Sequence, residues 1–103
     1  MFIATKKDWV LFQQKLPDWQ ERFMGRLCQE YVTLLTSEME NSEKFHSLEK
    51  QIRKDKKLPG VTFTISKGEM EYNLLELLQG QVITMEDLAE FSEGLKKWLQ
   101  QLV

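Results

Sequence analysis

The chain reads as all-α: a compact bundle of four main helices plus one weaker surface helix, with a short extended segment around 61–65. Three features lead there. Apolar residues recur three and four apart along most of the 103 residues, the spacing that lays them on one face of a helix. Most of these runs open with a Ser, Thr or Asp followed three residues later by a carboxylate, a pattern that satisfies the free backbone donors of a first turn. Only one stretch alternates with the two-residue period of a strand.

Thr5 and Asp8 open the first helix, which turns Trp9, Phe12 and Leu16 towards a partner. It is expected to stop at Pro17, because proline removes a backbone donor and crowds the preceding turn. Asp18 with Glu21 is expected to start a second, longest helix. Trp19, Phe23, Leu27, Tyr31 and Leu35 recur along it every four residues, widened by Met24, Cys28 and Leu34, which marks it as the spine of the core. Gly25 inside it costs about 1 kcal/mol relative to alanine and so predicts the close approach of a neighbouring helix. Asn41 and Ser42 begin the weaker third helix. Its narrow stripe of Phe45, Leu48 and Ile52 predicts packing on one side only, and Leu58-Pro59-Gly60 ends it.

Val61 to Ile65 alternates strictly and is β-branched at four of its five positions, so it reads as a short strand or an extended connector. Its one candidate partner within the chain is Phe2-Ile3-Ala4; without it, the exposed edge invites pairing with a second copy. Ser66 with Glu69 opens a fourth helix carrying Leu74, Leu75, Leu77 and Leu78 and closed by Gly80. Thr84 with Asp87 opens the last. There Leu88, Phe91, Leu95, Trp98, Leu99 and Leu102 share one face, and charge runs from acidic to basic along the helix dipole.

At 12.3 kDa, with 42% hydrophobic and 29% charged residues, residues 1–103 make one globular domain. Fourteen basic residues against sixteen acidic ones give a net charge of -2, which argues against a protein that coats nucleic acid. Cys28 is the single cysteine and His46 the single histidine. An intramolecular disulfide and the usual Cys/His metal sets are therefore excluded, and neither a metal nor another cofactor is expected. No apolar run approaches the roughly 18 residues of a membrane span. The opening MFIATKKDWV has too short an apolar stretch for a signal peptide. The expected setting is the cytoplasm.

Sites of chemistry are sparse. Gly80-Gln81-Val82-Ile83-Thr84-Met85-Glu86 has the form of the second half of a calcium loop, but the preceding Leu74 to Gln79 segment offers almost no carboxylate ligands. As a helix-turn-helix the same junction would open its reading helix with Met85-Glu86-Asp87, which repels phosphate. Cys28 lies on an apolar stripe, where a buried and inert thiol is expected, and His46 on a polar face beside Lys50. No phosphate loop, nucleophile elbow or carboxylate pair in an apolar setting is present, so the chain is read as non-enzymatic.

Two surfaces remain. Met1, Phe2, Trp9, Phe63 and Tyr72 have the weakest claims on an interior position. Of these, Phe2, Trp9, Phe63 and Tyr72 are the expected contacts for a protein partner, since aromatics and methionine concentrate at such sites. Lys50, Arg53, Lys54 and Lys57, with Lys56 beside them, form a basic face opposite Phe45, Leu48 and Ile52, the expected patch for an anionic partner. The sequence thus points to a small cytoplasmic accessory protein that works through protein–protein association, self-association included. The alternative is a nucleic-acid-associated regulator using the basic helix around 50–57, although no aromatic is interleaved there to stack bases.

Overall fold

The computed structural model describes residues 4–103. Among the described residues the chain forms four α-helices: α1 (Lys6–Leu35), α2 (Asn41–Asp55), α3 (Met70–Gln79) and α4 (Glu93–Leu102). Two short 3-10 turns, Lys67–Glu69 and Met85–Leu88, precede α3 and α4. The all-α bundle expected from the spacing is present, with a different division of its helices.

The largest difference lies at Pro17. The first two expected helices are one, α1, thirty residues long with Pro17 inside it, and Asp18 caps nothing. Proline in a helix interior costs roughly 3 kcal/mol, mostly a lost hydrogen bond and a crowded carbonyl one turn back. Here Pro17 and Gln13 are both exposed, so water can solvate the freed carbonyl. Phe12, Leu16, Trp19, Phe23 and Leu27 are all buried on one continuous stripe, and burying each is worth about 1.5–3 kcal/mol. Packing outweighs the local penalty. Thr5 and Asp8 do cap this helix as expected: the Thr5 hydroxyl accepts from Asp8 N at 3.0 Å, and Thr5 N donates to the Asp8 carboxylate at 3.1 Å.

One core follows from that stripe. It meets Met70, Leu74 and Leu77 of α3, Leu95 and Leu99 of α4, and Val82, Ile83, Leu88 and Phe91 between them. Trp19 stacks on Phe91 with centroids 6.2 Å apart. Arg22 holds the connection from outside through two 2.9 Å bonds to the Asp87 carboxylate. Burial pushes the Asp87 carboxyl up, but the bonds from Arg22 and Thr84 outweigh it, and the group sits below the usual carboxylate range.

The expected last helix is also divided, into the turn Met85–Leu88 and α4. A continuous helix needs Ser92 N to donate to the Leu88 carbonyl. Instead Ser92 N donates to Asp8 Oδ1 at 2.8 Å, and Phe91 N takes Leu88 O at 2.9 Å. Asp8 thereby restarts the helix at Ser92. Asp87 does close back onto Thr84 N at 2.8 Å, but over a 3-10 turn.

Val61 to Ile65 forms no strand; no strand occurs among the described residues. Its alternation is nonetheless real: Val61, Phe63 and Ile65 pack against the core while Thr62 and Thr64 are exposed. The expected partners Phe2 and Ile3 lie outside the described residues. Ser66 makes no side-chain cap; its backbone N donates to Asn73 Oδ1 at 3.3 Å. Asn41 and Ser42 fall inside α2, whose N-cap is Glu40 without a side-chain bond. Gly25 has nothing within 4 Å of where a Cβ would stand, so no helix approaches it. The close approach is at Gly60, where a Cβ would lie 2.2 Å from Phe23 Cδ2.

The bundle is elongated, 53 × 22 × 22 Å. Its radius of gyration is 16.6 Å, where a compact chain of this length would have about 13 Å. The reason is α1, which runs past the core and continues with only α2 beside it.

Candidate protein-contact surface

Leu27 is the last buried residue of α1, and Asp55 the one buried residue of α2. The second half of α1 and all of α2 therefore make an antiparallel hairpin whose far part, beyond Leu27 on α1, projects from the core. Its two helices meet along Leu27, Tyr31 and Leu34 of α1 and Ser47, Gln51 and Asp55 of α2. The contact is more polar than the core. Tyr31 Oη donates to Asp55 Oδ2 at 2.5 Å, and Gln51 Nε2 donates to Oδ1 at 3.2 Å. Burial, and then the bond to Asp55, push the Tyr31 phenol up to about 12.

The two flanks of this hairpin differ in kind. On one, Arg26 and Glu30 of α1 face Gln51 and Lys54 of α2, and Arg26 Nη2 donates to the Gln81 carbonyl at 2.7 Å. On the other, Met24, Cys28 and Tyr31 face Ile52 across an open cleft of about 150 Å³, with Val61 at its base. Helical spacing at about 100° per residue continues that flank towards the hairpin tip with Val32 and Leu35 on α1, and with Leu48 and Phe45 on α2. All but the half-buried Leu48 are poorly covered: Phe45 is 69% exposed, Val32 51% and Leu35 45%, and Met39 in the turn is exposed as well. Lone exposed apolar residues are ordinary on protein surfaces. A run of them along one flank of a two-helix layer is a candidate contact surface.

The residues expected from the sequence sit elsewhere. Phe2 lies outside the described residues. Trp9 is half-buried, edge-on to Phe12 with centroids 6.1 Å apart, and Phe63 is half-buried against the core. Tyr72 is exposed, edge-on to Trp98 at 5.5 Å. Lys50, Arg53, Lys54 and Lys57 are exposed as a basic face, and Arg53 is bonded to Glu49 one turn back at 2.7 Å. His46 faces solvent, its ring 5.5 Å from that of Phe45. Two expectations are corrected here: Cys28 is exposed and not buried, and Phe45 packs on no core. Both follow from α1 outrunning the core.

Sequence reading missed the surface by placing Cys28 and Leu35 on the core stripe of α1 and leaving Val32 unassigned. The signal was present. Gly25, Cys28, Val32 and Leu35 are spaced three, four and three apart, a second narrow seam beside the Leu27, Tyr31 and Leu34 seam that faces α2. One neighbouring helix cannot cover both.

Among the described residues, no helix is long and apolar enough to cross a membrane. Compared with known protein families, with curated proteins and with solved structures, the chain matches none of them.

Proposed function

We propose that this is a small, non-enzymatic accessory protein of the cytoplasm that acts by binding another protein through the apolar flank of the α1–α2 hairpin. One observation carries the reading: the end of the longest helix runs on past its last buried residue, Leu27, and together with the turn and α2 leaves Val32, Leu35, Met39 and Phe45 exposed. A hairpin with no second role would keep such positions polar, because uncovered apolar surface promotes nonspecific association. The two buried carboxylates among the described residues support the non-enzymatic part. Asp8 is bonded to Thr5 and Ser92, and Asp55 to Tyr31 and Gln51, so each is tied to its neighbours in the fold. Cys28, an exposed thiol on the same flank, suits a reducing compartment.

A photo-crosslinking side chain at Phe45, compared with the same group at Lys54 on the polar flank, tests the reading in cells. Protein adducts should form from position 45 and be scarce from position 54. Equal yields at both positions, or none at 45, would reject it.

A further inference from the structure

We propose that the occupant of the apolar flank is a second copy of this chain, docked antiparallel so that the tip of each hairpin lies over the root of the other. The inference rests on the reading of this flank as a protein-contact surface.

Two features single out a second copy. The first is the layer itself: two antiparallel helices with one apolar flank are half of a four-helix bundle, and a two-fold axis supplies the other half from the same surface. The second is charge. Glu38, Glu40 and Glu43 outnumber Lys44 at the hairpin tip, while at the root Arg53 and Lys56 stand beside the flank and Lys50, Lys54 and Lys57 face away from it. Arg53 and Lys56 border Ile52 directly, with Glu49 beside them bonded to Arg53 at 2.7 Å. Antiparallel docking sets each acidic tip against a basic root, whereas parallel docking stacks like charge on like at both ends. Complementary charge of this kind selects the register more than it adds affinity.

The size of the surface bounds the strength. The fifteen residues of α2 run about 22 Å, and the flank is roughly two helices wide. Two-fold pairing then buries on the order of 1,000 Å² in total, the lower bound for a specific interface. A small interface of this kind is expected to associate weakly, in the micromolar range, which makes the dimer responsive to concentration.

Sedimentation equilibrium on the full chain under reducing conditions, from about 2 to about 500 µM, covers that range of dissociation constants. A reversible dimer is expected. Phe45→Glu, at a position that contributes nothing to the core, should weaken it by about 30-fold without altering helix content or the unfolding midpoint. Reversing the tip (Glu38→Lys, Glu40→Lys, Glu43→Lys) should weaken it by about tenfold at low salt. Adding Arg53→Glu and Lys56→Glu to that variant should restore it.

A monomer at every concentration, or a dimer indifferent to Phe45→Glu, overturns self-association through this flank. A combined variant that stays weak overturns the antiparallel register. The crosslinking result separates the two levels: adducts from position 45 that hold only other proteins leave the contact reading intact and remove the second copy, whereas no adducts remove both.

Discussion

Ser92 donates twice to Asp8, from its backbone N to Oδ1 at 2.8 Å and from its hydroxyl to Oδ2 at 2.6 Å. One carboxylate thus closes the first turn of α1 through Thr5 and also supplies the N-terminal partner of α4, 84 residues away. Both helix N-termini present positive ends of their dipoles to it. Replacing Asp8 by Ala removes a capping contact at both helices and strands donors in a closed site, at a cost of about 3 kcal/mol. Asp8→Asn should cost less, because an amide oxygen still accepts from one of them. Urea unfolding measures both, and a double-mutant cycle with Ser92→Ala should return a coupling on the order of 1 kcal/mol or more.

The same carboxylate makes stability depend on pH with a defined sign. Burial raises the Asp8 carboxyl, but the bonds from Ser92 and Thr5 outweigh it and hold the group below the ordinary value of 3.8. A group lowered in the folded state contributes stability that is complete above its unfolded value and is lost as pH falls through the folded one. Acid titration of the wild type should therefore show a loss of stability below about pH 4 that is smaller in Asp8→Asn. Equal acid sensitivity in the two proteins would reject this role.

Gly60 and Gly25 should respond in opposite directions. A methyl at Gly60 would stand 2.2 Å from the Phe23 ring, which is itself buried against the core. Gly60→Ala therefore forces ring or turn to shift and should cost about 2–3 kcal/mol. Gly25 sits in the exposed middle of α1 with nothing near it, so Gly25→Ala should stabilise the fold by up to about 1 kcal/mol. Thermal unfolding midpoints will fall for the first and rise for the second.

Tyr31 links the hairpin helices through Asp55, and its phenol is raised to about 12 in the folded state. Between the ordinary phenol value of about 10 and that raised one, the unfolded chain loses its proton first, so stability falls as pH rises through the interval. Tyr31→Phe should abolish this alkaline loss and cost about 1–2 kcal/mol at neutral pH, since Asp55 keeps Gln51 but loses its shorter bond. Ultraviolet titration of the phenol against that of exposed Tyr72 is the direct check.

Gln81 carries a positive φ of 59° directly after the Gly80 that ends α3. A side chain in that region is disfavoured by about 1 kcal/mol, and the contact Gln81 makes with Arg26 uses its carbonyl. Gln81→Gly should therefore be stabilising or neutral, where glycine in most ordered positions destabilises. A loss above about 1 kcal/mol would show that the Gln81 side chain contributes to the connection.

Much of this was legible in the chain, and the failures have physical causes. Thr5 and Asp8 form their cap because four residues of sequence contain everything the interaction needs. Leu74, Leu77, Leu95 and Leu99 are buried because helical spacing collects them on one face. Pro17 misled because its local penalty is smaller than the burial on either side of it. Thr84 misled because its capping pattern is genuine while the next turn is not set locally: Asp8 reaches Ser92 from the far end of the chain. The uncovered apolar flank was hidden because periodicity marks a residue as apolar and helical without saying whether a neighbour exists to cover it.

By itself, then, the order of side chains determined an all-α chain, the apolar faces that build its core and the absence of a cysteine or histidine framework for metals and disulfides. These are matters of spacing and composition, complete within a few turns. The tertiary structure decided that α1 is one helix and not two, that the last helix restarts at Ser92, and that the second half of α1 with α2 leaves an apolar flank uncovered. Each of these depends on energies and partners between segments far apart in the chain, and only the folded arrangement brings them together.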